Sequence, residues 1–240
     1  MVTALPLDNF TGASAGDEFG APMPSEGLML ADPAERLRAL NACADVVAQN
    51  TRLLTDLDAA IGDGDHGTNM SRGFKALKEA AEDLIQAAPG AMLQRAGTIL
   101  VATVGGASGP LYGSLLMAMG KAAGTAETLD LPLLTEMLSE GVSAVGRRGK
   151  ASPGEKTLLD VLVPVRDALK QSLAHGARPF DLAHRVADTA EQALEATRPL
   201  RATKGRASFL GERSIGHLDP GAASARLLVS ALCQLVGEER

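Results

Sequence analysis

The chain of 240 residues carries a formal net charge of −6, with 45% hydrophobic and 22% charged residues, the balance of a globular domain able to bury a sizeable core. Aromatic residues are only 2%, with no Trp and a single Tyr, Tyr112, so the core must be Leu, Ala, Val and Met, and stacking platforms for bases are lacking. That shortage and the negative charge argue against a nucleic-acid surface, and no apolar run approaches the ~18 residues of a membrane span.

Residues 1–30 hold Gly, Pro, Ser, Thr and acids without sustained periodicity and read as an N-terminal tail, leaving residues 31–240 as a single domain. The first basic residue is Arg36, so no charged leader precedes it, and a cytoplasmic location is expected. Asp32 as N-cap, Pro33 at the first helical position and Glu35 at the third make a strong helix start. Leu37, Leu40, Ala44 and Val47 then repeat at helical spacing to about Asn50. Met70, Phe74, Leu77, Ala81 and Leu84 mark a second helix, and residues 89–104 a third, which Gly105-Gly106 breaks. Ser108 and Pro110 open a fourth, with Leu111, Leu115 and Met119 inward, and further helices fit residues 131–145, 157–174, 179–198 and 219–236. No segment alternates as a strand would. The expected fold is all-α, a single-domain up-and-down bundle or barrel of about eight helices. Alternate connections of such a bundle lie at the same end. Residues 58–69, 105–110, 147–157 and 202–221 should therefore converge on one rim, where a site would sit.

Chemistry concentrates in Leu57-Asp58-Ala59-Ala60-Ile61-Gly62-Asp63-Gly64-Asp65-His66-Gly67-Thr68-Asn69-Met70, where three carboxylates and three glycines precede a helix. Asp63 and Asp65 flank Gly64, and their repulsion on a turn with few other side chains is hard to justify unless a cation sits among them; hard oxygen ligands suit Mg²⁺ or Ca²⁺. The bland alternative is a solvated polar loop. Gly62-x-Gly64-x-x-Gly67 matches the dinucleotide fingerprint only by accident, since no strand precedes it and acids fill two of its free positions. An EF-hand fails in both registers: from Asp63 it needs Gly where Thr68 stands and an acid where Phe74 stands, and from Asp58 it needs Gly where Asp63 stands.

Gly105-Gly106-Ala107-Ser108-Gly109-Pro110 precedes a helix, so its free N–H groups suit an anion such as phosphate, unless it is a mere flexible turn with Ser108 as N-cap. Asp219-Pro220-Gly221 has the form of an N-cap followed by Pro at the first helical position, whatever else Asp219 does. Arg206 and Lys204 bring cations to the same rim, and a planar guanidinium suits phosphate oxygens, although a solvated basic loop has the same composition. Gly149-Lys150-Ala151 is no P-loop, because Ala144 stands at the first Gly and Ala151 at the required hydroxyl. His66 follows two acids and is placed to orient a ligand, His217 sits in the last glycine-rich loop, and His175 and His184 read as surface residues. Neither the histidines nor Cys43 and Cys233 have zinc spacing. The cysteines read as buried thiols of a reducing compartment. No nucleophile elbow or general base can be nominated.

Four motifs in order, namely the acidic run at residues 57–70, Gly105-Gly106-Ala107-Ser108-Gly109-Pro110-Leu111-Tyr112-Gly113, Gly154-Glu155-Lys156-Thr157-Leu158-Leu159-Asp160, and the stretch from Gly205 to Gly221, closely resemble the nucleotide-binding L subunit of dihydroxyacetone kinase. The resemblance runs from about Asp32 to the C-terminus. It implies an eight-helix barrel whose open end holds ADP or ATP with two Mg²⁺ ions. The implied metal ligands are Asp58, Asp63 and Asp65. The implied nucleotide contacts are His66, Gly67, Thr68 and Asn69, then Ala107 and Ser108, Gly149 and Leu158, Arg206, and Asp219, Pro220 and Gly221. Leu158 stands where the family often has Met, which leaves an aliphatic wall for adenine.

The resemblance also implies a phosphotransferase that is half an active site, its ketone being held on a partner K subunit, with positioning and charge neutralisation as its chemistry. Free ATP, or a phosphotransferase-system M subunit that recharges bound ADP, remain alternative donors, and a homodimer is left open. Two rival readings stand beside it: an L-type subunit of a kinase for another short ketose such as a tetrulose, and a non-catalytic nucleotide-binding regulator. The L-like domain of bacterial fatty-acid kinases is more distant, because that chain continues into other domains whereas this one ends at Arg240.

Overall fold

The computed structural model describes residues 32–176 and 178–238; the expected tail lies outside them. Helix α1, Pro33–Gln49, starts as its sequence dictates: the Asp32 carboxylate accepts from the Ala34 N–H at 2.8 Å, and Glu35 reaches back to the Asp32 N–H. Asn50 ends α1 and directly opens α2, Thr51–Ile61, a helix that the sequence reading had not separated from the acidic loop. Its buried residues Leu54, Asp58 and Ile61 lie one turn apart, the spacing that signals it. The remaining helices are α3 His66–Glu79, α4 Ala81–Leu84, α5 Pro89–Thr103, α6 Ser108–Ala123, α7 Leu131–Gly149, α8 Leu159–Ala174, α9 Pro179–Ala196 and α10 Pro220–Glu238, with a 3₁₀ stretch at Arg206–Ser214.

Eight of these close a ring. α1 packs on α3, α3 on α5, and α5 through α10 each on the next, and α10 returns to α1. The eight correspond to the eight helices expected from periodicity, while α2, α4 and the 3₁₀ stretch lie between them. The ring is filled by one continuous aliphatic core including Val47, Leu54, Met70, Leu100 and Val161, all fully buried. With few aromatics available, packing relies on close helix approach. A Cβ on Gly97 would come 2.8 Å from the Gly113 carbonyl, and one on Gly113 would come 2.8 Å from the Gly97 carbonyl, so α5 and α6 meet nearly backbone to backbone. Cys43 and Cys233 are free thiols, pushed by burial to about 12 and about 11, as expected of inert packing residues. Among the described residues there is no strand, and no helix is long and apolar enough to cross a membrane.

Two local expectations change. Ser108 is not an N-cap: it is the first residue of α6, preceded by Ala107 without a side-chain capping bond, because its hydroxyl turns to His66 instead. The expected loop at residues 147–157 is shorter at its start, since α7 runs on to Gly149 with Arg147 and Arg148 in its last turn, where the helix dipole favours cations.

Candidate functional site

The four connections named from the sequence do converge. They line one cavity of about 720 Å³, with Asp58, Asp63, Asp65, His66 and Asn69 on one side, Gly105 to Ser108 at its back, and Val145, Gly149, Leu158 and Leu159 as an aliphatic wall. Arg206 and the segment Asp219, Pro220, Gly221 complete it.

The acids are assembled by backbone geometry. Asp58 sits on the last turn of α2 rather than in a loop, and its Oδ2 accepts from the N–H groups of Asp65 at 2.9 Å and His66 at 3.1 Å, tying α2 to the start of α3. A Cβ at Gly62 would overlap Asp58 Oδ1, so only glycine lets the chain pass. Gly64 turns with φ +75°, which folds Asp63 and Asp65 back towards Asp58. One carboxylate oxygen from each of the three lies within 4.8 Å of the others, with Asp58 buried and its partners exposed. Such all-oxygen, all-anionic grouping fits a hard divalent cation. Asp63 is paired with Arg206 at 3.1 Å.

Opposite the acids, Gly106 at φ +64° leads into α6, and the positive end of that helix points at the cavity. Asn69 is held for this wall by Arg72, whose Nη2 donates to Asn69 Oδ1 at 2.7 Å while its Nε donates to the Thr103 carbonyl at 2.7 Å. His66 lies beneath, buried, with Nδ1 3.1 Å from Ser108 Oγ and Nε2 3.0 Å from Ser224 Oγ. Burial lowers its pKa, against the opposing pull of Asp58 and Asp65, so the neutral ring is favoured.

Asp219 caps α10, accepting from the Ala222 N–H at 2.6 Å, as its Asp-Pro-Gly sequence predicts. Its own N–H donates to Thr197 Oγ1 at 3.1 Å. Burial, with smaller opposition from the Ala222 hydrogen bond, pushes its carboxyl up to about 7.

Sequence reasoning missed Lys156. It is 1% exposed, lies in the left-handed region at φ 60°, and points Nζ at the carbonyls of Thr197 (2.8 Å), Leu200 (3.1 Å), His217 (2.5 Å) and Arg198 (3.4 Å). An ammonium has three donors, so these carbonyls share them, and the end of α9 is pinned to the approach of α10. Desolvation lowers its pKa. Nothing in periodicity or spacing marks this residue; its one signal in the sequence is its place in the Gly154 to Asp160 motif. Arg148 and Phe209 also line the cavity without having been singled out, and Lys204, expected as a rim cation, lines it as well.

Two expected contacts lie outside the cavity wall. Gly67 is pressed against α2, where a Cβ would overlap the Thr51 carbonyl, so it is required for packing. The Thr68 hydroxyl folds back to the Asp65 carbonyl at 2.9 Å. His175, His184 and His217 are likewise outside the wall.

A ring of helices with a metal-competent acid cluster facing a helix N-terminus defines a phosphate-handling helical domain. The model of the DAK2 domain matches residues 60–234, and the chain belongs to that family. It is 48% identical over 82% of its length, and 94% of the relative's, to the "PEP-dependent dihydroxyacetone kinase 1, ADP-binding subunit DhaL" of Listeria innocua. Against the corresponding ADP-binding subunit of Escherichia coli K12 the identity is 41% over 80% of this chain and 92% of that one. Among solved structures, the dihydroxyacetone kinase from C. freundii in complex with AMP-PNP and Mg²⁺ shares the fold, with a TM-score of 0.63 at 21% identity over 94% of this chain. The present chain spans 38% of that protein's length.

Proposed function

We propose that this chain is the nucleotide- and Mg²⁺-binding subunit of a dihydroxyacetone kinase and passes a phosphoryl group to dihydroxyacetone held on a partner K subunit. The observation that carries the reading is the convergence, in one cavity, of the Asp58, Asp63 and Asp65 carboxylates with the N-terminus of α6. The DhaL names of relatives that match nearly end to end support it. Asp58, Asp63 and Asp65 would hold two Mg²⁺ ions, which supply charge neutralisation to a phosphoryl group in flight.

The chain's own residues bind and orient. The first turn of α6, with Ala107 and Ser108, receives phosphate oxygens, as do His66, 3.1 Å from the Ser108 hydroxyl, and Asn69 beside Gly105; Gly67 and Thr68 contribute through the backbone of the first turn of α3. Leu158 and Gly149 offer adenine an aliphatic slot. Pro220 and Gly221 close that side behind the Asp219 cap. Arg206 moves from Asp63 to the phosphates, where its fork can bind two oxygens. Little acid–base work is required, in keeping with the absence of a nominated base. The PEP-dependent naming of both relatives favours a bound ADP recharged by a phosphotransferase-system M subunit over free ATP.

The test is titration calorimetry with ADP and Mg²⁺. Asp63→Asn and Asp65→Asn should each abolish Mg²⁺-dependent binding with helical content intact, since a hard cation loses a charged oxygen. Unchanged affinity in both variants would sink the metal assignment.

A further inference from the structure

The cavity has two halves of different origin. The half proposed for phosphate is built by α2, α3 and α6 and the turn between the first two, which supply the acids, His66, Asn69 and Ser108. The half proposed for adenine has two sides that are distant in the chain: Leu158 at the head of α8, and Pro220 and Gly221 at the head of α10. These sides meet at their base, since a Cβ on Gly221 would lie 3.5 Å from the Leu158 nitrogen and 3.7 Å from its Cβ. We propose that Lys156 is a positioning residue for the nucleotide base: one buried ammonium fixes the separation of Leu158 from Pro220 and Gly221, and with it the adenine share of nucleotide affinity, while the phosphate share is left alone. This rests on the reading of the cavity as a nucleotide site.

On the near side, Lys156 stands two residues before Leu158, in a left-handed conformation that is uncommon for a residue with a side chain. The turn that joins them is braced on α8: Asp160 Oδ2 accepts from the Thr157 N–H at 2.7 Å, and Thr157 Oγ1 accepts from the Leu159 N–H at 3.2 Å. Lys156 and Leu158 are therefore held as one piece. On the far side, Nζ donates to the His217 carbonyl at 2.5 Å, three residues before Pro220. It also donates to the Thr197 carbonyl at 2.8 Å, while Thr197 Oγ1 accepts from the Asp219 N–H at 3.1 Å. The ammonium thus reaches the segment at Asp219 to Gly221 by two routes.

An ammonium has three protons, and Lys156, at 1% exposed, spends them on protein carbonyls, so it has none to give a ligand. Its influence on nucleotide runs through the slot. Without the ammonium, buried carbonyls of residues 197–217 lose a charged donor, and each must find water or shift to another partner. Either outcome loosens Asp219 to Gly221 from Leu158, and a loose slot makes fewer contacts with a flat aromatic base. The four carbonyl partners lie outside α2, α3 and α6, so the phosphate half keeps its shape.

The experiment compares Mg²⁺–ADP with Mg²⁺–pyrophosphate, which carries phosphates without a base, by titration calorimetry on the full chain. Lys156→Met keeps a long apolar stem but has no donor. It should bind ADP roughly tenfold more weakly, the scale of effects from residues that touch no ligand, and pyrophosphate as wild type does. Equal losses for both ligands, as a general loosening of the fold would give, overturn the proposal, and so does unchanged affinity for ADP. A second measurement needs no variant and decides the matter even where methionine prevents folding. Coupling between sites is reciprocal, so if Lys156 braces the slot for the base, a bound base braces Lys156. In wild-type protein with ¹⁵N-labelled lysine, the Lys156 ammonium protons should exchange with solvent more slowly in the ADP complex than in the pyrophosphate complex; equal rates overturn the proposal. Wild-type protein that binds no Mg²⁺–ADP at all refutes the nucleotide reading itself, whereas binding with either failure at Lys156 refutes only the role of that residue.

Discussion

Arg206 and Asp63 meet at 3.1 Å although the proposed function asks each for an opposite partner, the guanidinium for phosphate and the carboxylate for a cation. Both are well exposed, so their pairing contributes little stability and is easily exchanged. The guanidinium stands in for positive charge that the acid cluster otherwise lacks. Arg206→Ala should therefore leave stability unchanged but slow phosphoryl transfer in the assembled enzyme by about 10²-fold, the usual effect of losing one charge-stabilising group. Arg206→Lys should recover only part, since an ammonium lacks the fork. A wild-type rate in the alanine variant would make Arg206 a solvated loop residue. Asp219 carries a pH prediction. Its carboxyl sits near 7 in the folded chain against an ordinary 3.8, so the folded state holds the proton more tightly. Its contribution is fully favourable below about pH 4 and is lost as pH rises towards 7. Asp219→Asn keeps an acceptor for the Ala222 N–H but cannot ionise. Urea denaturation of nucleotide-free protein should show the variant gaining on wild type between about pH 4 and 7, then a constant difference; parallel curves would contradict the buried-acid account.

At the scale of elements, the site depends on how closely α3 lies on α2. A Cβ at Gly67 would come within 2.7 Å of the Thr55 backbone nitrogen and overlap the Thr51 carbonyl, and backbone atoms cannot swing aside as a flexible side chain would. Gly67→Ala should cost about 1–3 kcal/mol by overpacking, read as a lower urea midpoint, and should weaken Mg²⁺-dependent ADP binding, because α3 carries His66 and Asn69 while Asp65 stands at its start. An unchanged midpoint would mean that the two helices separate freely. Much at this scale was legible: the Asp32 capping box, the Pro89 and Pro220 starts and the eight apolar stripes each mark a helix from local pattern alone. α2 was not, because it is only 11 residues long and the buried Asp58 interrupts the apolar stripe of Leu54 and Ile61.

For the whole molecule, ring closure matters most. Connections far apart in the chain become neighbours because α10 returns to α1, and the cavity formed at that end is open. An open cavity admits water to the phosphates, and a docked partner would exclude it. The isolated chain should accordingly bind nucleotide yet phosphorylate no free dihydroxyacetone, and adding the cognate K subunit should restore transfer. Rapid turnover by this chain alone in a coupled assay would refute the half-site reading.

The amino-acid sequence by itself determined the helical class, the helix starts, the acid cluster and the end of the ring at which a site must lie, because capping, apolar periodicity and turn glycines act over a few residues. Only the tertiary structure decided which groups meet across that end. Lys156 reaching four carbonyls of another segment, Arg206 crossing to Asp63, Gly67 serving packing, and Ser224 standing under His66 are contacts between residues from 12 to 158 positions apart. No local pattern encodes these pairings. They are set by which faces the closed ring presses together, where burial makes each polar atom find a partner.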